Sequence, residues 1–100
     1  MTSEDILDIS LEIEKKQIGK FALNYRALVK NKWVPIYRVD NFHGFLHEQR
    51  LWRTKEPIPL DDEEYYTRND VVDRYIDQIS NNFQKYKSYY KESSNKKKKK

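Results

Sequence analysis

One hundred residues make one domain with one core, and 14 aromatics, eight of them tyrosine, supply bulk that an apolar fraction of 37% would otherwise lack. With no cysteine, disulfides, thiolate zinc sites and cysteine nucleophiles are excluded, and no apolar run approaches the length of a membrane span. The formal charge of +4 is misleading as a whole, because Lys96–Lys100 hold five of the 20 basic residues and the other 95 positions carry 15 basic against 16 acidic. The folded body is therefore close to neutral, and the basic pI is no argument for a nucleic-acid-binding domain.

The chain begins with Met1-Thr2-Ser3-Glu4-Asp5, acidic and unlike a signal peptide, so a cytoplasmic protein with no membrane partner is expected. Ile9, Leu11 and Ile13 alternate with Ser10, Glu12 and Glu14, the period of a half-buried strand. Lys15-Lys16-Gln17-Ile18-Gly19 breaks the pattern as a turn. Alternation then resumes with Phe21, Leu23, Tyr25, Ala27 and Val29 on one face. Lys30-Asn31-Lys32 reads as a hairpin connection in which Asn31 takes a left-handed conformation. The third strand spans Trp33 to Val39, with Trp33, Tyr37 and Val39 in phase; Pro35 makes it an edge strand, a bulged one, or regular only from Ile36. An exposed edge there would allow a homodimer. Asp40-Asn41-Phe42-His43-Gly44 is a turn, and Phe45 to Arg53 a fourth strand with neither face cleanly apolar.

Glu56-Pro57-Ile58-Pro59-Leu60 cannot be helical and suits an extended crossing. After the acidic loop Asp61–Tyr66, Thr67-Arg68-Asn69-Asp70 has the form of a helix start. Val72, Ile76, Ile79, Phe83 and Tyr86 then recur at spacings of four and three, an amphipathic helix of about 20 residues. Burying five such side chains is worth roughly 1.5–3 kcal/mol each. Past Tyr90 nothing apolar remains, so residues 93–100 are expected to be a disordered basic tail behind a single domain of residues 1–92. The expected class is α+β: a small antiparallel sheet of about four strands, with one long C-terminal helix packed on it.

The chemistry-bearing residues gather at the junction of the third and fourth strands. Arg38, Asp40, Asn41, His43, His47 and Arg50 combine both histidines with a carboxylate and two guanidiniums. Histidine titrates near neutrality and arginine stabilises anions, so the set could cleave a phosphodiester bond, with His43 or His47 as acid or base and Arg38 or Arg50 on the developing charge. Alternatively, Asp40 and Asn41 build the turn, Gly44 supplies positive φ and the histidines are ordinary half-exposed residues. Asp40, His43 and His47 would make only a sparse metal site, and neither metal nor cofactor is expected.

Tyr25, then Tyr37-Arg38-Val39-Asp40-Asn41, His43-Gly44-x-x-His47 and Arg50, followed by Thr54-Lys55-Glu56-Pro57 and the helix, resemble the pattern of the TumE family over roughly residues 21–87. Val39 stands where that family usually has an aromatic. The resemblance implies a small toxin encoded beside a DNA-binding antitoxin that neutralises it by contact, acting on RNA or translation. The competing expectation is a non-catalytic interaction module that binds protein or nucleic acid. Lys96, Lys97, Lys98, Lys99 and Lys100 are a candidate nucleic-acid contact, for which five neutralised phosphates would give a salt slope of about −4 to −5, or else a solubilising end. Tyr65-Tyr66 and Tyr89-Tyr90 could stack on bases or cap the rim of the core.

Overall fold

The computed structural model describes residues 1–42 and 44–98, with side chains through Ser94. His43, Lys99 and Lys100, and the side chains of Lys96, Lys97 and Lys98, lie outside the described residues. The fold is α+β. Strands β1 (Asp5–Glu14), β2 (Gln17–Val29), β3 (Lys32–Asp40), β4 (His47–Arg50) and β5 (Ile58–Pro59) form one antiparallel sheet in sequence order, and helix α1 (Arg68–Lys98) lies across β2 and β3. A short 3-10 turn, Asp62–Glu64, precedes the helix.

Two two-residue turns drive the meander. Lys15 and Lys16 join β1 to β2 with φ of 49° and 65°, and Lys30 and Asn31 join β2 to β3 with φ of 52° and 65°. Both central residues are left-handed in each, the geometry whose twist matches a hairpin. The pattern break after Lys16 is not all turn: β2 already begins at Gln17. Glu12 faces Lys20 while Ile13 faces Ile18, so Gly19 is the extra residue of a bulge.

Strand β3 lies between β2 and β4, but β4 pairs only with Tyr37–Asp40, so at Pro35 the strand has β2 alone beside it and is locally an edge, as one of the expectations had it. Pro35 is tolerated because it sits at a second bulge, where the register slips between Tyr25 and Arg26. That slip throws Trp33 out of phase with Tyr37 and Val39. Trp33 is exposed, under the Arg26 guanidinium at 5.2 Å, while the other two are buried. Strand β4 is shorter than expected, closing at Arg50, and the proline-rich crossing contributes a fifth strand by pairing Glu48 with Ile58.

Facing residues on an antiparallel ladder share a side, so Phe21, Leu23, Tyr25, Tyr37 and Val39 form one buried row under the helix. Thr67 caps the helix, its Oγ1 accepting from Asp70 N at 3.2 Å, and the first helical residue is Arg68. Val71, Val72, Tyr75 and Ile79 are buried, while Ile76, Phe83, Tyr86 and Tyr90 are half-buried against the core. Val71 and Tyr75 join the expected stripe, so the helix buries a wider arc than the spacing of four and three alone implies. The helix also continues past Ser93, where order was expected to end; Ser93 and Ser94 are half-buried. Ile9, Leu11 and Ile13, expected to be buried, are exposed because the helix does not extend over β1.

Candidate functional site

The register of β3 on β4 decides which candidate residues can meet. His47 faces Asp40, Gln49 faces Arg38, and Arg50 faces Tyr37. His47 and Arg50 are three positions apart on one strand and so point to opposite sides of the sheet. The set that looks continuous in sequence is two separate clusters.

On the side away from the helix, Asp40 is 1% exposed and His47 2%. Arg38 Nε donates to Asp40 Oδ2 at 2.5 Å, the Phe42 amide donates to Oδ1 at 3.2 Å, and His47 Nε2 lies 3.1 Å from that same Oδ1. His47 Nδ1 is 3.2 Å from the Phe45 carbonyl oxygen, and the Phe45 ring tilts over the imidazole at 5.0 Å. Both ring nitrogens thus face oxygen atoms. Arg38 is half-exposed and Phe45 exposed, while Asp40 and His47 are shut in between them. Asn41 is buried just beyond: its Oδ1 accepts from Phe21 N at 2.8 Å, and its Nδ2 donates to Gly19 O at 3.1 Å. Arg68 Nη1 donates to the same carbonyl at 2.8 Å. Gly44 takes φ 87°, as the turn reading requires.

On the helix side, Glu48 is buried and takes a hydrogen bond from the Tyr37 hydroxyl at 2.5 Å and from Arg50 Nε at 2.9 Å. Gln78 of α1 donates to the Tyr86 hydroxyl at 3.0 Å and to that of Tyr37 at 3.4 Å. Tyr37 stacks on Tyr86 at 4.9 Å and on Trp52 at 6.1 Å, closing an aromatic wall. Burial first, and then the Glu48 carboxylate, hold the Tyr37 hydroxyl far above the usual phenol range. Glu48, Tyr37 and Gln78 were absent from the sequence-derived set. The alternation of β4 could have found Glu48, since it falls in the same phase as the apolar Leu46.

Among the described residues no group of three or more His, Asp or Glu is placed to hold a metal, and no buried side-chain nitrogen or oxygen lacks a partner. Two residues of the acidic run are also committed: Asp62 accepts from the Tyr75 hydroxyl at 3.0 Å and pairs with Arg74 at 3.8 Å, and Glu63 pairs with Arg68 at 3.4 Å. Tyr66 lies under the Arg74 guanidinium at 4.1 Å, and Tyr89 packs on Trp52 at 5.6 Å, which leaves Tyr65 as the most exposed of these rings.

A five-strand meander backed by one C-terminal helix, with a buried polar cluster on each side of its third and fourth strands, defines the class of protein. The chain belongs to the DUF7718 family, described as a domain of unknown function, which matches residues 1–96. A search of curated proteins and a search of solved structures each returned no match. Among the described residues no helix is long and apolar enough to cross a membrane.

Proposed function

We propose that this protein is a non-catalytic interaction module that binds a protein partner, and that the Asp40–His47 pair is a structural latch. The observation that carries this reading is the burial of Asp40 and His47 together with their satisfied hydrogen bonds. A general acid or base must reach its substrate, whereas a paired buried carboxylate pins the strands that supply it. The test compares His47→Ala with the wild type by chemical denaturation and by growth of a bacterial host under regulated expression. A latch gives a variant with a clearly lowered unfolding midpoint and a wild type that leaves growth unaffected. Growth arrest by the wild type, abolished in a fully stable His47→Ala, would reverse the conclusion.

The second reading is a TumE-like toxin acting on RNA and silenced by a DNA-binding antitoxin. One observation favours it: Arg38 is solvent-accessible while bonded to Asp40, which in turn meets His47, so a cation, a carboxylate and an imidazole stand in series on the helix-free side. Arg50 has no part in that arrangement. On this reading Arg38→Ala removes toxicity, whereas Arg50→Ala lowers stability and leaves toxicity in place. Scoring total RNA alongside growth for both variants separates the two.

A further inference from the structure

A sheet of five strands in sequence order has two edges, and they are treated differently. β5 is two residues long, lies between Pro57 and Leu60, and ends in Pro59, which has no N–H to offer. Short, proline-bearing edges resist further pairing. β1 runs ten residues, contains neither proline nor lysine, and has β2 as its one strand neighbour. Alternate backbone groups along it point outward, ready for another strand.

The side chains of β1 add direction to that edge. Ile9 and Leu11 face Leu23 and Phe21, so they lie on the helix side of the sheet, and Ile13 continues the row opposite Ile18. These three are 48, 45 and 60% exposed, a shelf that prolongs the core beyond the helix. On the other side stand Asp8 and Glu12, with Glu14 at the end of the strand. Two of them meet a base in β2: Asp8, which faces Asn24, accepts from the diagonal Arg26 Nε at 2.7 Å, and Glu12 faces Lys20, while Glu14 faces Gln17.

We infer that β1 accepts an extended segment of a protein partner as a sixth strand, one whose alternate residues are apolar and basic. The apolar set covers Ile9, Leu11 and Ile13, and the basic set extends the sequence of basic β2 and acidic β1 to a third row. A second copy of this chain does not fit that edge. Matching the two apolar shelves sets the acidic row of one β1 against the acidic row of the other, and like charges opposite each other destabilise a ladder. Strand addition draws affinity from main-chain hydrogen bonds and selectivity from alternate side chains, and both are offered here. The inference rests on the interaction-module reading and adds the surface and the chemistry of the partner.

The probes are two ten-residue peptides, one alternating valine with lysine and one alternating valine with glutamate, titrated into the full chain at low salt. The wild type is expected to bind the lysine peptide at least tenfold more tightly than the glutamate peptide, with hydrogen-exchange protection appearing in residues 5–14. Glu12→Lys/Glu14→Lys should lose at least tenfold toward the lysine peptide, and Leu11→Lys should lose binding to both; all these side chains are exposed, and circular dichroism checks that each variant folds. Three results would overturn the inference: binding of neither peptide, equal binding of both, or a wild-type dimer in solution whose protected residues are 5–14. None of these bears on whether His47→Ala destabilises the chain, so the latch reading stands or falls by its own experiment.

Discussion

The side-chain amide of Asn41 donates to the carbonyl oxygen of Gly19 at 3.1 Å, fastening the residue just past β3 to the bulge in β2. The same side chain accepts from Phe21 N at 2.8 Å, while the Asn41 amide donates to Phe21 O at 3.2 Å. One asparagine thus stands in for the ladder partner that the bulge displaces. Asn41→Ala leaves a buried N–H with no acceptor, and an unsatisfied buried group costs about 1–3 kcal/mol. Urea denaturation should show a loss of that size, and Asn41→Asp should also lose stability, since a carboxylate cannot donate to Gly19.

Tyr37→Phe removes the hydroxyl that faces the buried Glu48 carboxylate and leaves the ring stacked on Tyr86. Its expected cost is about 1–3 kcal/mol, the toll of a charged acceptor losing a partner away from water. Arg50 still holds Glu48 in that variant, so Tyr37→Phe/Arg50→Ala should fall further than the sum of the single changes. A double-mutant cycle followed by tryptophan fluorescence checks both statements.

The β1–β2 turn asks two lysines to adopt positive φ, which burdens L side chains with roughly 1–2 kcal/mol each. Lys15→Asn/Lys16→Gly supplies the residues such a turn prefers. The double variant should raise the unfolding free energy by about 1 kcal/mol or more, read from the denaturation midpoint, without altering peptide binding at β1.

Stability should fall at both ends of the pH scale for opposite reasons. Burial alone would raise the Asp5 carboxyl, but hydrogen bonds from Thr2 and Tyr25 and the nearby Lys87 ammonium together outweigh it and hold the group below its ordinary 3.8. A depressed folded pKa contributes stability in full above the unfolded value, and that contribution is lost as pH falls through the folded one. Tyr25, Tyr37, Tyr75 and Tyr86 are all raised, chiefly by burial. A raised phenol contributes in full below the unfolded value, near 10, and loses its share as pH climbs above that. Thermal unfolding should therefore show a plateau between about pH 5 and 9. Asp5→Asn should lower the plateau and flatten the acid limb alone, and Tyr37→Phe should lessen the alkaline fall.

Local patterns in the sequence carried much of this architecture. The alternation of Phe21, Leu23 and Tyr25 names the core row of β2 without help from any distant residue, and Thr67 with Asp70 marks where the helix starts. Asn31 takes the left-handed conformation its side chain permits. What sequence could not supply was the consequence of slippage. Two bulges, at Gly19 and at Ile36 beside Pro35, shift which residues face each other, and no propensity distinguishes a bulged glycine from a turn glycine. The width of the helix's footprint was also out of reach, so the apolar row of β1 looked like core. At the polar junction, composition drew Arg38, Asp40, His47 and Arg50 into one group. Only the pairing of β3 with β4 separates Arg50 from the rest, and only tertiary contact reveals that Glu48 answers to Tyr37.

Every strand here pairs with the strand that precedes or follows it in the chain, and the element that covers them comes last. Nearest-neighbour hairpins close small loops and form quickly, so the meander can be assembled before the helix has been made. Chain growth from the N-terminus then leaves Phe21, Leu23 and Tyr25 facing water until the residues around Ile79 and Tyr86 have emerged. During that interval the nascent molecule presents two adhesive surfaces, an open edge and a bare apolar face. Arrival of the helix seals the face and leaves the edge of β1 as the one the finished protein keeps.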